Sequence, residues 1–470
     1  MNIVHIVPEV YPFSSVSSIA EFACDVPTEQ SKSGHKVTVF SPLYAVINVD
    51  TYGIKSTGLK TWVDAGYTVY EYELYSVDYL GVKYVFFKND DLFKRSGLYS
   101  SGAFDYADND IRFGTFCQAA MNYIKYHNIP VDIIHSHNWQ TALVPVYKKL
   151  YHNDLECKTV LTVHSTESMG VFNKFSMETL NLPWDIYHID FIEYYDSINF
   201  LKGGVTACDL CTTISPTFAK ELVEDEGSYG RFFKVNADKI TGVLNGISNT
   251  RWNPKEENLI TANYSADDIS GKEKCKEAFC KSLDLDPKRP LLCFITKLIS
   301  ARGVELILEA IKEFEKMDVN LIILGHSGAE YNNSLEDKKH ISNIRIILKD
   351  YSKSSHEAYS AADIILMPSL YEPCGIGQFI GMRYGAIPVV RDTGGLHDGI
   401  KEAKEKEVGF TFDDFSVSDM MVALDKALKL YYSDKKDYAV KTLMSFDNSW
   451  KSTSAEYIKL YKKLLTEDKK

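Results

Sequence analysis

The stretch Tyr371-Glu372-Pro373-Cys374-Gly375-Ile376-Gly377-Gln378 decides the fold of this chain, together with Thr393-Gly394-Gly395-Leu396 further along. An apolar run at 363–369, typical of a short buried strand, precedes the first stretch. A helical spacing at 378–384 and a second apolar strand at 387–390 separate the two stretches. The order of strand, polar loop, helix, strand and glycine-rich turn predicts one right-handed α/β crossover with both loops at the same sheet edge.

These two loops also indicate chemistry. The loop at 371–378 carries a carboxylate, and the loop at 393–396 offers backbone N–H groups without side chains around them. This combination suits a ligand that carries both hydroxyls and phosphates. Taken alone, Glu372 could be an exposed loop carboxylate and Gly394-Gly395 could be an ordinary turn. The combination is more specific than either part.

Short apolar runs alternate with helical patterns along the whole chain, which predicts an α/β protein with mostly parallel, doubly wound sheets. A turn-rich junction at 245–254 separates two such series, so we expect two Rossmann-like domains that face a cleft, a natural ligand site. The predicted domains are 1–248, with a β-hairpin insertion near 51–99, and 249–448. The tail at 449–470 places apolar residues on one helical stripe, and we expect that helix to pack back on the first domain.

Composition narrows the class of protein. A chain of 470 residues with formal net charge -12 is not suited to nucleic acid or to anionic membranes. No apolar run reaches the ~20 residues of a membrane helix, and the start of the chain passes into a strand at 3–7 without a signal-peptide pattern. Nine scattered cysteines favour reduced thiols in the cytoplasm. Cys208 and Cys211 lack the second ligand pair of a structural zinc site, so we expect no metal.

Several motifs together resemble those of the bacterial and plant glycogen/starch synthase family. The opening stretch resembles E-P-C-G-x-x-Q followed by T-G-G-L, and the resemblance extends along nearly the whole chain. The other matching segments are Pro8–Phe13, His135–Leu143, Thr162–His164, Ser215–Thr217, Leu244–Ile247, Trp252–Pro254 and Tyr264–Asp268.

The resemblance implies a B-type glycosyltransferase fold and retaining transfer of glucose from a nucleoside-diphosphate glucose, usually ADP-glucose in bacteria, to the non-reducing end of an α-1,4-glucan. It implies no metal and no cofactor, because fixed cations and N–H donors meet the charge of the leaving diphosphate. The residues that take catalytic positions in this resemblance are Glu372, His164, Lys297 and Arg302. Those that take substrate-binding positions are Ser15, Ser17, Ser18, Asn138, Tyr351, Cys374, Gly375, Thr393, Gly394 and Gly395.

The chain departs from the family in its first loop. The family carries K-x-G-G-L, whereas this chain has Ser15, Val16, Ser17, Ser18 and Ile19. The positive charge is absent and the close-approach glycines carry side chains. Serines can still cap the helix that begins there.

Other departures lie elsewhere in the site. Asn138 replaces the aspartate of H-D-W-H, and Ser165 replaces the asparagine of T-x-H-N. The S-R-L … K-G pair is Thr296-Lys297-Leu298 … Arg302-Gly303, so arginine and lysine have changed places while both charges remain.

Three hypotheses follow. The first is an active glucosyltransferase of the glycogen synthase type. The second is a weak or inactive paralogue that binds glucan or nucleotide in a regulatory role. The third is a related transferase with another hexose donor. A nicotinamide dehydrogenase is disfavoured, because the loop at 8–18 contains no glycine.

Overall fold

The structure, a computed structural model, describes residues 1–102, 104–225, 231–326, 329–348 and 351–467, but not the side chains at 329, 330, 351, 352 and 467. The chain divides into two compact units. The first comprises Met1–Ile214, Ala219–Val243 and Trp450–Lys470, and the second comprises Ser215–Phe218 and Leu244–Ser449.

A mostly parallel sheet forms the centre of the first unit. Its strand order is β14-β13-β9-β8-β1-β2-β5-β4-β3. The central strands are buried along nearly their whole length, as expected of parallel strands covered on both faces. The strands that precede residue 244 are β1 Asn2–Ile6, β2 Lys36–Pro42, β3 Lys55–Ala65, β4 Thr68–Tyr79, β5 Val82–Lys88, β6 Ser100–Ser101, β7 Phe104–Asp105, β8 Ile133–His137, β9 Lys158–Val163, β10 Val171–Asn173, β11 Glu193–Tyr194, β12 Ser197–Asn199, β13 Leu210–Thr213 and β14 Ile240–Gly242.

Helices connect these strands and cover the sheet. Those that precede residue 244 are α1 Ser18–Lys32, α2 Val49–Tyr52, α3 Asp90–Phe93, α4 Asn109–Tyr126, α5 Leu143–Tyr151, α6 Ser176–Thr179, α7 Phe200–Ala207, α8 Pro216–Glu224 and α9 Phe232–Val235. Among the helices of the described residues, none combines the length and apolarity needed to cross a membrane.

The segment at 51–99 is more than the predicted hairpin insertion. β3 and β4 do form an antiparallel hairpin, but the chain returns in β5, which pairs antiparallel with β4 and parallel with β2. The hairpin therefore extends the main sheet instead of standing apart from it. The reason is the buried run of β5, Val82–Lys88, which occupies the next position beside β2.

The second unit has a six-stranded parallel sheet of order β17-β16-β15-β18-β19-β20. Its strands are β15 Leu291–Ile295, β16 Asn320–Leu324, β17 Ile344–Ile347, β18 Ile364–Met367, β19 Ile387–Arg391 and β20 Phe410–Phe412. Its helices are α10 Ser270–Ser282, α11 Val304–Glu309, α12 Ile311–Lys316, α13 Ala329–Glu336, α14 Tyr351–Ala361, α15 Ile376–Arg383, α16 Gly394–Gly399, α17 Lys401–Glu405, α18 Val417–Tyr431 and α19 Lys436–Met444.

The last helix, α20 Trp450–Glu467, belongs to the first unit, which confirms the predicted return of the tail. Trp450, Tyr457 and Tyr461 are buried along one stripe. The ring of Phe22 on α1 packs edge-on against Trp450 at 5.6 Å and Tyr457 at 5.4 Å between centroids. The stripe thus covers the side of the sheet that α1 also covers.

A buried ion pair fixes the start of the strand that leads to Glu372. Asp363 directly precedes β18, and its carboxylate lies 2.7 Å from Nζ of Lys276 on α10. The same carboxylate accepts the backbone N–H of Leu291 at 2.8 Å. Burial alone would lower the pKa of Lys276, but Asp363 outweighs it and holds the pKa above its usual value.

The loop between β1 and α1 is built around a buried carboxylate. The Ser17 hydroxyl accepts the backbone N–H of Ile19 at 3.2 Å and so caps α1. Glu9, fully buried, accepts the N–H of Val16 at 2.5 Å and of Ser17 at 3.3 Å, and also the Ser17 hydroxyl. Burial raises the pKa of Glu9 to about 7, although these hydrogen bonds act in the opposite direction.

We expect Lys276→Met to lower the free energy of unfolding of the second unit by about 3–5 kcal/mol, because Asp363 would remain as an unpaired buried charge. Urea unfolding followed by circular dichroism measures the change. Lys274→Met, at an exposed position of the same helix, is the matched control. An equal effect of both variants would contradict a stabilising role for the pair.

Glu9 should make stability depend on pH. Its folded pKa lies above the ordinary value, so the folded chain holds more protons than the unfolded chain between the two values, and stability falls as pH rises through that window. Glu9→Gln imitates the protonated acid and removes the dependence. We expect the unfolding free energy of the wild type, relative to Glu9→Gln, to fall by about 1–3 kcal/mol between about pH 5 and about pH 8. A difference that stays constant over this range would show that Glu9 titrates normally.

Candidate active site

In the first unit, Asn138 holds the backbone around His164. Asn138 follows β8 with φ of 58° and ψ of −173°, a strained conformation that residues with a side chain rarely adopt. Its N–H donates to the carbonyl of Thr162 at 2.8 Å. Its side-chain oxygen accepts the N–H groups of His164 at 3.0 Å and Ser165 at 3.3 Å. Asparagine therefore retains the acceptor that an aspartate would offer to this turn, without the negative charge.

His164 is a neutral, buried imidazole. Its side chain is 4% exposed, and burial lowers its pKa to about 3. Its Nε2 lies 3.1 Å from Nδ1 of His137. Its Nδ1 is buried and has no hydrogen-bond partner among the described residues. A neutral ring with one open nitrogen can accept from or donate to a sugar hydroxyl, but it cannot supply a positive charge.

The predicted phosphate loop of the first unit offers little to an anion. Ser15 and Ser17 are exposed and Ser18 is half-buried. The N–H groups of Val16 and Ser17 donate to the Glu9 carboxylate. The Glu9 carboxyl group therefore already occupies N–H groups of this loop that could otherwise bind phosphate.

In the second unit, Glu372 is held by a cation. Its Oε2 lies 3.4 Å from Nε of Arg302 and accepts the Ser369 hydroxyl at 3.2 Å. Arg302 also donates to the carbonyl of Tyr371. The guanidinium thus orients both the carboxylate and the backbone of its loop.

Lys297 differs from Arg302 in its surroundings. It is exposed, and its ammonium group makes no hydrogen bond or ion pair with any residue that the structure describes. Of the two predicted cations, Arg302 is engaged with Glu372, and Lys297 remains available to a ligand.

The two loops that the sequence singles out lie in backbone contact. The N–H of Gly395 donates to the carbonyl of Glu372 at 2.9 Å. A Cβ at Gly395 would lie 2.2 Å from Cα of Cys374, so only glycine permits this approach. Gln378 secures the contact from α15, because its side-chain nitrogen donates to the carbonyl of Gly395 at 2.9 Å.

The prediction of bare N–H groups on the second loop is therefore wrong at two positions. Gly395 donates to Glu372, and Thr393 donates to the carbonyl of Arg391 at 3.0 Å. Thr393-Gly394-Gly395 is also not a simple turn, since Gly394 and Gly395 open the helix α16. The cause is the close packing of the loops, which uses N–H groups that an open turn would leave unbonded.

Two of the remaining predicted residues, Gly375 and Cys374, shape the loop that carries Glu372. The side chain of a third, Tyr351, is not described by the structure. Gly375, with φ of 77°, precedes α15 in a left-handed conformation. Cys374 is buried, and burial raises the pKa of its thiol far above the usual range, so it is not a nucleophile. Tyr351 begins α14.

Two residues that shape the loops are not among the predicted site residues. Glu9 lies in the segment Pro8–Phe13 and holds its own loop, and Gln378 of the E-P-C-G-x-x-Q signature bridges two loops. The spacing of glutamine after E-P-C-G was the available signal for the second. Nothing local in the sequence reveals that Glu9 is buried against its own loop.

Two families match the chain. The starch synthase catalytic domain matches residues 2–234, and glycosyl transferases group 1 matches residues 276–441. The glycogen synthase of Aquifex aeolicus (strain VF5) is 35% identical over 469 residues, which cover 99% of each chain. The glycogen synthase of Pseudothermotoga lettingae is 34% identical over 488 residues, also 99% of each chain.

Solved structures agree with this assignment. The catalytic domain of starch synthase IV from Arabidopsis thaliana, bound to ADP and acarbose, matches with a TM-score of 0.89 and 29% identity over 99% of each chain. Sucrose-phosphate synthase from Thermosynechococcus elongatus, at 13% identity and a TM-score of 0.59 over 99% of this chain and 100% of that one, shares the fold alone. The chain therefore belongs to the glycogen/starch synthase family of glucosyltransferases and has its B-type fold of two parallel-sheet α/β domains.

Proposed function

We propose that this chain transfers glucose from a nucleoside-diphosphate glucose, with ADP-glucose as the donor, to the non-reducing end of an α-1,4-glucan with retention of configuration. The observation that carries the proposal is the Glu372 carboxylate, held 3.4 Å from the Arg302 guanidinium in a loop that Gly395 contacts through its backbone. The starch synthase IV structure with ADP and acarbose supports a nucleotide and a glucan as ligands.

The cations have separate roles in this proposal. Arg302 orients Glu372, which accepts hydroxyls of the donor glucose. Lys297, exposed and with no described partner for its ammonium group, stabilises the charge that develops on the leaving diphosphate. Because fixed side chains supply this charge, the proposed reaction uses no metal and no cofactor. We place the reaction in the cytoplasm, which the nine free, buried cysteines support.

A second candidate function is binding of glucan or nucleotide without turnover. One observation favours it: the first loop has no lysine, and Glu9 accepts the N–H groups of Val16 and Ser17. A loop that lacks its cation and holds a carboxylate binds a diphosphate less well. The chain would then be a regulatory partner of an active synthase.

The first test measures incorporation of labelled glucose into glycogen, with ADP-glucose and UDP-glucose offered in parallel. We expect transfer from ADP-glucose, and we expect Glu372→Ala to reduce it by about 10³-fold or more, since the sugar loses the carboxylate that positions it. Glu402→Ala, an exposed position of the same unit, should leave the rate unchanged. Wild-type chain that is folded but transfers from neither donor would contradict the proposed reaction, and glycogen binding without transfer would then support the binding function.

The second test restores the missing cation. Ser15 is exposed, so a lysine fits there without disturbing the core. One phosphate–ammonium contact is worth up to about 4 kcal/mol at ~4 Å and an effective dielectric of ~20. We expect Ser15→Lys to raise kcat/KM for the donor by about 10-fold or more. Ser33→Lys adds the same charge just beyond the other end of α1, and an equal gain from it would show that only net charge matters.

A further inference from the structure

A chain of buried hydrogen bonds reaches His164 from the interior of the first unit. Starting at α1, Oε1 of Gln30 lies 2.9 Å from Nε2 of His5. Nδ1 of His5 lies 3.2 Å from Nε2 of His137, and Nδ1 of His137 lies 3.1 Å from Nε2 of His164. Gln30, His5 and His137 are all fully buried. We call this series the histidine relay.

Strand geometry explains why the rings meet. β1 and β8 are parallel neighbours in which His5 pairs with His135, and His135 and His137, two residues apart, lie on one face of β8. α1 contributes Gln30 to that face. The relay is therefore a product of sheet register and not of local sequence.

His5, His135 and His137 offer ring nitrogens within 4.8 Å of one another, the spacing of a possible metal site. His135 argues against it. Its Nδ1 lies 2.6 Å from the Tyr461 hydroxyl and its Nε2 lies 2.5 Å from the Thr162 hydroxyl, so both nitrogens are used in hydrogen bonds. The rings of His135 and His137 are stacked 4.2 Å apart and do not converge on a common point. The cluster is a hydrogen-bond network.

Because its imidazoles are neutral, the relay can run in only two directions. Burial lowers the pKa of His5 to about 4 and of His164 to about 3, and it lowers that of His137 well below its usual value. Each neutral ring has one N–H donor and one acceptor nitrogen, so the protonation of one ring determines that of the next. Nothing inside the relay decides between its two senses, and the choice falls to the group at its end.

Gln30 is that group. Its carbonyl oxygen faces His5, and its amide nitrogen faces the Tyr461 hydroxyl at 3.5 Å. With an acceptor at this end, His5 carries its proton on Nε2 and accepts at Nδ1. His137 then donates from Nε2 and accepts at Nδ1, so His164 donates from Nε2.

We propose that Gln30, His5 and His137 are positioning residues that hold His164 in the Nε2–H tautomer and present its Nδ1 lone pair to a hydroxyl of the bound sugar. The buried Nδ1 of His164, which has no partner among the described residues, is the open end of the relay. The contact between Nδ1 and the sugar rests on the proposed transfer of glucose. The tautomer of His164 is independent of that proposal.

Nuclear magnetic resonance of the full chain labelled with ¹⁵N-histidine tests the tautomer directly. The His164 signals are identified by their absence in His164→Gln. We expect the wild type to show a protonated Nε2 and an unprotonated Nδ1. Gln30→Met removes the acceptor and should give a mixture of tautomers. Gln30→Lys places only a donor beside His5, which reverses every hydrogen bond and should move the His164 proton to Nδ1.

Activity gives the second measurement. We expect Gln30→Lys to lower kcat/KM for the donor by ~10-fold or more, because an N–H would then stand where the Nδ1 lone pair accepts the sugar hydroxyl. Thr28→Val removes a buried hydroxyl from a different position of α1. It should change neither the tautomer of His164 nor kcat/KM. His137→Asn keeps an acceptor toward His164 and should retain more activity than His137→Leu.

Each result bears on one part of the proposal. A wild type with its His164 proton on Nδ1, or a tautomer that is the same in Gln30→Met, Gln30→Lys, His137→Leu and the wild type, overturns the relay. A wild type without transfer activity would refute the proposed reaction, and the resonance data would still decide the tautomer. A variant that does not fold is replaced by the others of the series.

Discussion

The contact between the carbonyl of Glu372 and the N–H of Gly395 is the constraint on which the second unit's site depends. It joins two loops that leave neighbouring strands, β18 and β19. The approach is so close that a Cβ at Gly395 would lie 2.2 Å from Cys374 Cα. Gln378 secures the contact, because it donates to the carbonyl of Gly395. Gln378 and the glycines of the signature therefore have mainly a structural role. They fix where the Glu372 carboxylate stands, and Arg302 then fixes how it points.

The sequence was sufficient to predict what depends on periodicity and strand order. Apolar runs located the strands, a helical stripe located α20, and the E-P-C-G and T-G-G signatures located the loops of the site. The sequence did not predict features that depend on packing between residues far apart in the chain. The place of β5 beside β2, the use of the Gly395 N–H, and the burial of Glu9 beneath its own loop all depend on partners that no local pattern reveals. The histidine relay is the same case, because register across β1 and β8 brings His5 beside residues far along the chain.

The altered first loop can be understood from the same contacts. Ser17 has φ of −144° and ψ of 175°, an extended conformation that does not require glycine. Its side chain caps α1 and donates to Glu9. The loop thus exchanges open N–H groups for internal hydrogen bonds, which stabilise it by about 0.5–1.5 kcal/mol each. The loop is therefore held in place by contacts within the first unit.

Burial explains why His164 is neutral, whereas the predicted site residues of the second unit are charged. The second unit holds fixed ions, Glu372 and Arg302 in contact and Lys297 exposed. In the first unit, burial lowers the pKa of His164 and raises that of Glu9. A buried cation at His164 would face a large desolvation cost, whereas a neutral ring with a fixed tautomer can still distinguish donor from acceptor. In the proposed function, specificity for a hydroxyl comes from orientation, since a sugar that leaves this nitrogen unpaired loses about 1–3 kcal/mol. In the same proposal, Lys297 of the second unit meets the charge of the leaving diphosphate.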